Sequence, residues 1–170
     1  MELRPTLQKL IDFNCRVLDQ ALQVIAGHEA HPDAAFAAHS GPHLRHVIEH
    51  YEAFADHVAT RSVDYDSRER DRAVERHCAV ARERVIRLQV QLRALPATTL
   101  EDPIAVHLRG GIAGEDNFVS FSTVARELLF LSSHAVHHYA LIQMHCRQQG
   151  IDLGPDFGKA PSTVHHERQG

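Results

Sequence analysis

Histidine is the residue that most constrains what this chain can fold into, because 15 of its 170 residues are histidines and most of them are grouped. Five lie between residues 39 and 57, and four lie between residues 134 and 145. Both stretches have the apolar spacing of helices. Two histidines four apart on one helix, facing a third from another helix, supply what a divalent metal site in a bundle needs. The sequence therefore predicts a helical metalloprotein.

Apolar residues at helical spacing divide most of the chain into four long segments. These segments cover, in order, about residues 7–27, 40–59, 74–95 and 122–149. The third has the clearest period, since its apolar residues alternate four and three apart and its other faces are charged. We therefore expect an all-α fold in which four helices form one bundle.

Strand-like sequence separates the third predicted helix from the fourth. Residues 104–109 and 117–121 are rich in β-branched and aromatic side chains, and glycines lie between the two runs. This pattern predicts a small β-hairpin inserted into the bundle. The tail from Ile151 onward is rich in turn residues and predicts an irregular strap. No linker or repeat interrupts the pattern, so we expect a single domain over residues 1–170.

Charge and cysteine content exclude several classes of protein. The net charge is −4 with histidine neutral, which predicts no bulk attraction to nucleic acid or to anionic lipid. The three cysteines are far apart and form no C-x-x-C motif, which favours a reducing compartment over a disulfide framework. No apolar run approaches the length of a bilayer span. We expect a soluble cytoplasmic protein whose partner is a small molecule.

The strongest candidate ligands are His134 and His138, which lie four residues apart and so share one face of the fourth helix. His137 points to another side and cannot easily join them. The third ligand must come from the second helix, which offers three histidines at helical spacing, His43, His46 and His50. The relative height of two helices cannot be read from residue spacing, so this argument leaves all three open.

Other chemical motifs are absent from the sequence. A di-iron bundle needs paired Glu-x-x-His motifs, whereas His46-x-x-Glu49 has the reverse order. The zinc-protease motif H-E-x-x-H is also missing, because His28-Glu29-Ala30-His31 is one residue too short. There is neither a G-x-S-x-G motif nor a glycine-rich phosphate loop. Three imidazoles around an ion, with coordination positions left open, are the chemistry that the sequence favours.

Three segments resemble the DinB/YfiT-like superfamily of metal-binding four-helix bundles. They are residues 41–51, residues 63–71 and residues 126–138, the last of which carries the His-x-x-x-His pair. The resemblance implies an up-down-down-up bundle, often dimeric, that binds nickel or zinc. It implies His46, His134 and His138 as the metal ligands, because His46 precedes an acidic residue at the spacing that family members often have.

The resulting functional expectation is a metal-dependent enzyme. An ion held by three imidazoles can bind water or a thiolate in an open position, and the resemblance implies a low-molecular-weight thiol as partner. We therefore expect a thiol S-transferase or a hydrolase that uses zinc or nickel. The alternative is a non-catalytic metal- or ligand-binding helical bundle. His50 and Tyr139 are candidate pocket residues, and no catalytic residue is assigned.

Overall fold

The computed structural model describes residues 6–96 and 99–170, and it places four long helices around a shared apolar core. The α-helices are α1 (Leu7–Ala30), α2 (Ser40–His57), α3 (Arg72–Arg76), α4 (Cys78–Arg93), α5 (Val124–Gln148) and α6 (Pro161–Glu167). Single turns of 3-10 helix cover Phe36–Ala38 and Val58–Thr60. Helices α1 and α2 each pack against both α4 and α5. The pairing of α2 with α5 brings the two histidine-rich stretches together.

A three-stranded mixed sheet lies beside these helices. Its strands are β1 (Ser62–Asp64), β2 (Pro103–Gly110) and β3 (Asp116–Thr123), in the order β1-β2-β3. Strand β1 runs parallel to β2, and β3 runs antiparallel to it. Val63 and Ile104 are buried, so one face of the sheet contributes to the core. The sheet therefore packs against the helices, with β1 in contact with α2 and β3 in contact with α5.

The expected all-α, up-down-down-up four-helix bundle is wrong. The described residues form six α-helices and a mixed sheet, and this is not a four-helix bundle with a small hairpin. The strands between α4 and α5 each have eight residues. The third strand of the sheet is β1, which has only three residues. Three residues are too few to show an alternation of apolar and polar side chains. The strand is extended because it pairs with β2.

The third predicted helix is divided at His77. This residue is extended, with φ −127° and ψ 113°, and it ends α3 and precedes α4. Asp71 caps α3 by accepting a hydrogen bond from the backbone N–H of Ala73. Val74 is nevertheless fully buried with the apolar residues of α4. The spacing of the apolar residues therefore indicates which side chains are buried, although the helical backbone is interrupted at His77.

Helix α2 begins in close contact with α3. A Cβ atom built on Gly41 would lie 1.9 Å from the carbonyl oxygen of Glu75, so the absence of a side chain permits this approach. Ser40 is the first residue of α2, and its Oγ lies 2.8 Å from Nε2 of His28. These contacts fix the position of α2 along its own axis relative to its neighbouring helices. They therefore also fix the positions of the histidines that follow in α2.

Helix α5 is the longest element, with 25 residues. Thr123 caps it by accepting from the backbone N–H of Arg126, and Gly150 follows its end with a positive φ of 76°. The predicted strap packs on α5, where the ring of Phe157 lies 5.7 Å from that of Tyr139, and it includes α6. Neither α5 nor any other helix within residues 6–96 and 99–170 has an apolar stretch that could cross a membrane.

Candidate metal centre

Helices α2 and α5 bring together the three histidines that the sequence analysis assigned as ligands. The Nε2 atom of His134 lies 3.2 Å from Nε2 of His46 and 3.0 Å from Nε2 of His138. One ring nitrogen from each of the three lies within 4.8 Å of the others. All three side chains are half-buried. In the described part of the chain, this is the one group of three or more metal-ligating side chains that meets so closely.

Two of the three separations between the converging nitrogens match what a small cation requires. A tetrahedral ion with metal–nitrogen bonds of about 2.0 Å places its ligand nitrogens about 3.3 Å apart. In a neutral imidazole one nitrogen donates and the other accepts, so Nε2 of His134 has a single proton or a single lone pair to share with two neighbours. A cation at the centre would accept a lone pair from each ring. The cluster could therefore hold a metal ion.

The protonation states of the cluster also favour a cation. Burial, followed by the positive charge of neighbouring groups, lowers the pKa of His46 to about 2 and that of His138 to about 4. Burial is likewise the main cause of the lowered pKa of His134. These rings are neutral near pH 7, because a proton here would be buried beside other charges. Neutral imidazole is the form that binds metal.

His43, which the spacing argument left open as a ligand, instead contacts the far side of His138. Its Nδ1 lies 2.9 Å from Nδ1 of His138, whose Nε2 faces the cluster. When Nδ1–H of His138 donates to His43, the lone pair of the His138 Nε2 atom is directed at the centre. Hydrogen bonds of this kind set the tautomer and orientation of metal-binding histidines. His43 is therefore a neighbour that orients a candidate ligand.

His50 and Arg68 lie beside the cluster. The Nδ1 atom of His50 lies 2.7 Å from the carbonyl oxygen of His46, and Nη1 of Arg68 lies 2.6 Å from Nδ1 and 2.9 Å from Nε2 of the same ring. The His50 ring is centred 4.4 Å from that of His134. Sequence reasoning missed Arg68, although it lies in the segment 63–71 that supported the family resemblance. It also placed Tyr139 in the pocket, whereas this residue is fully buried against Phe157.

We expect the metal-free protein to lose stability as the pH falls from about 7 to about 4. Burial lowers the pKa of His50 to about 3 and that of His138 to about 4, both below the ordinary value of 6.5. Between pH 7 and pH 4 these histidines bind protons in the unfolded chain but stay largely neutral in the folded chain. A fall in pH therefore favours unfolding. Melting temperatures of chelator-treated protein at stepwise lower pH measure the effect.

The variant His50→Gln isolates the contribution of one ring to this pH dependence. Its melting temperature should fall less steeply between pH 7 and 4 than that of the native chain, because it has one fewer depressed histidine. His137→Gln is the control, since His137 is exposed. Equal slopes for the native chain and the His50 variant would contradict the prediction.

The comparisons with known proteins give one similarity. No family model matches the chain, and no solved structure matches it. Among curated proteins it is similar to FK506-binding protein 5 of Rhizopus delemar, with 32% identity over 104 residues. The matched region covers 61% of this chain and 27% of the Rhizopus protein. The chain thus spans about a quarter of the length of this relative.

This similarity corrects the expected function. The prediction of a DinB-like, metal-dependent thiol S-transferase or hydrolase is wrong, because the matching protein is named for the binding of FK506 and not for metal or thiol chemistry. The alternative was a non-catalytic metal- or ligand-binding helical bundle, and its helical-bundle part is wrong as well, because a mixed sheet lies beside the helices. The resemblance to the DinB/YfiT-like superfamily stays a prediction, since no family model matches. What the structure retains is a three-histidine cluster that could hold a metal ion.

Proposed function

We propose that this chain binds one divalent metal ion, zinc or nickel, through His46, His134 and His138. The observation that carries the proposal is the convergence of three Nε2 atoms, with separations of 3.0 and 3.2 Å from the central one. Imidazole nitrogen is a preferred ligand of zinc and nickel. Three protein ligands leave room for water or another molecule on the ion.

The surroundings of the three rings support a transition metal over a hard cation. Magnesium and calcium prefer oxygen ligands, whereas the converging atoms here are all ring nitrogens. The contact between His43 and His138 supports the same choice, because it leaves Nε2 of His138 free to bind.

The test begins with chain purified without a histidine tag and treated with a chelator. Calorimetric titration with zinc or nickel should give one ion per chain, and magnesium should give no uptake. At an ion concentration of about 1,000 times Kd, binding to the folded state alone adds about 4 kcal/mol of stability. That corresponds to a rise in melting temperature of roughly 8–16 °C. A folded chain that takes up neither zinc nor nickel would rule out the proposal.

A second candidate function is the binding of FK506, which is favoured by the name of the Rhizopus protein and by its 32% identity to this chain over 104 aligned residues. The chain has a cavity of about 600 Å³ with aromatic and aliphatic walls, which is the kind of site that small molecules use. Calorimetric titration of the metal-free chain with FK506 tests this candidate. One saturable site would support it, and the absence of heat and of any change in melting temperature would exclude it.

A further inference from the structure

Strand β3 forms a long and exposed edge of the mixed sheet. The order β1-β2-β3 places it at one side of the sheet, and within residues 6–96 and 99–170 the strand that pairs with it is β2. It has eight residues, and the first six are exposed. The opposite edge, β1, has only three residues. A long exposed edge strand is a template on which a further strand can pair.

The alternation of an antiparallel ladder identifies the backbone groups of β3 that face outward. The N–H of Val124 donates to the carbonyl oxygen of Asp102, in the same register as the pairs of β2 with β3. The even-numbered residues of β3 therefore direct their N–H and C=O groups towards β2. Asn117, Val119 and Phe121 direct theirs to the opposite side, where the described part of the chain places no other strand.

Strand β3 lacks the features that usually protect an edge from pairing. Natural edges are short, carry lysine or proline, or are interrupted by a bulge. Residues 116–123 include no lysine, arginine or proline, and their eight consecutive pairs with β2 contain no bulge. Apolar side chains are exposed instead, since Phe121 is 84% and Val119 is 57% exposed. These two side chains lie on the same face of the sheet, because they are two residues apart.

We infer that β3 pairs with β3 of a second copy of this chain, in antiparallel orientation and with Ser120 opposite itself. The two sheets then form one sheet of six strands around a two-fold axis. In this register Val119 of each copy lies opposite Phe121 of the other, and their outward N–H and C=O groups bond to each other. Pairs of an aromatic and a β-branched side chain stabilise neighbouring strands. A shift of two residues would place Phe121 opposite the polar Asn117.

The charges at the ends of β3 favour a second copy in this orientation. Asp116 is the charged residue of the strand. Antiparallel pairing directs it towards the beginning of α5 in the other copy, where a helix N-terminus favours a carboxylate. Arg126 lies at that end of α5, and its side chain is 64% exposed although it contacts Glu127. Parallel pairing would place two Asp116 side chains next to each other, which is unfavourable.

The experiment measures the oligomeric state of the chelator-treated full chain by sedimentation over a range of concentrations. Two paired edges bury less than the about 1,000 Å² of a stable complex, so the fraction of dimer should rise with concentration. Val119→Lys places two cations at the centre of the paired edges and should raise the dissociation constant of the dimer at least about tenfold. Val90→Lys is the matched control, because Val90 is 60% exposed on α4 and should leave the dimer unchanged.

Two outcomes of this experiment would overturn the inference. A native chain that stays monomeric up to about 1 mM would exclude the second copy and favour an extended segment of another protein as the partner of β3. A dimer that Val119→Lys and Val90→Lys affect equally would place the interface elsewhere.

A cross-link tests the register without depending on the lysine variant. In the proposed pairing the two Ser120 residues form a pair without direct hydrogen bonds, whose Cα atoms lie about 4.5 Å apart. That distance is within the range of a disulfide. Ser120→Cys should therefore give a covalent dimer on mild oxidation with diamide, seen on a non-reducing gel. The native chain and Ser162→Cys, at an exposed position of α6, should remain single chains. No cross-link in Ser120→Cys, or equal cross-linking in both variants, would contradict this register.

Discussion

Replacing His138 with alanine removes stoichiometric zinc or nickel binding if the cluster is a metal site. Nε2 of His138 lies 3.0 Å from Nε2 of His134, and the variant loses one of only three ligands. Loss of an outer neighbour of a metal ligand typically costs about 10–100-fold in affinity. Loss of a ligand itself should cost at least about 100-fold. Competition with a chromophoric chelator measures the change.

The adjacent histidine supplies the control for this experiment. His137 lies on the same helix, but it is exposed and is not one of the three converging histidines. His137→Ala should therefore bind one ion with native affinity. The far-ultraviolet circular dichroism of both metal-free variants establishes that the helices are retained. Native affinity in a folded His138→Ala variant would show that the ion binds elsewhere.

Replacing Gly41 with alanine should strongly destabilise the fold. The added Cβ would lie 1.9 Å from the carbonyl oxygen of Glu75 and 2.8 Å from its carbonyl carbon. Both atoms are backbone, so α2 must move away from α3. Overpacking of this kind costs about 1–3 kcal/mol and occasionally more, and we expect the upper end. At roughly 2–4 °C per kcal/mol for a domain of this size, the melting temperature should fall by about 6–12 °C.

Gly27→Ala is the matched control, because it adds the same atom to another helix. There the new Cβ would meet Cγ2 of Ile151 at 2.7 Å, which is a side-chain atom and not a backbone atom. Its melting temperature should fall clearly less than that of Gly41→Ala. Equal effects in the two variants would contradict the view that the backbone contact of Gly41 is rigid.

The long helices and one part of the candidate site could be predicted from the sequence. Helical periodicity reports which residues are buried, and it located α1, α2 and α5 within a few residues. The facing of His134 and His138 follows directly from four-residue spacing on one helix. The third position could not be derived in this way, because the height of α2 depends on the contact between Gly41 and Glu75. The assignment of His46 came from the family resemblance.

The sheet and the cavity were outside the reach of sequence reasoning. Strand β1 is extended because it pairs with β2, and its partner lies about 40 residues further along the chain. Arg68 follows β1 in an irregular segment, where no period indicates the direction of a side chain. Its position beside His50 is therefore a consequence of tertiary packing. An arginine in a run of alternating charges gives no local signal of such a position.

His46 and His134 are separated by 88 positions in sequence, although their rings are in contact. An ion held between them would close a loop that spans about half of the chain. Closing so long a loop is unfavourable in a disordered chain, and the cost rises with loop length. The ion would therefore be captured only after α2 and α5 have docked. It would slow the unfolding of the finished protein and leave the rate of its folding nearly unchanged.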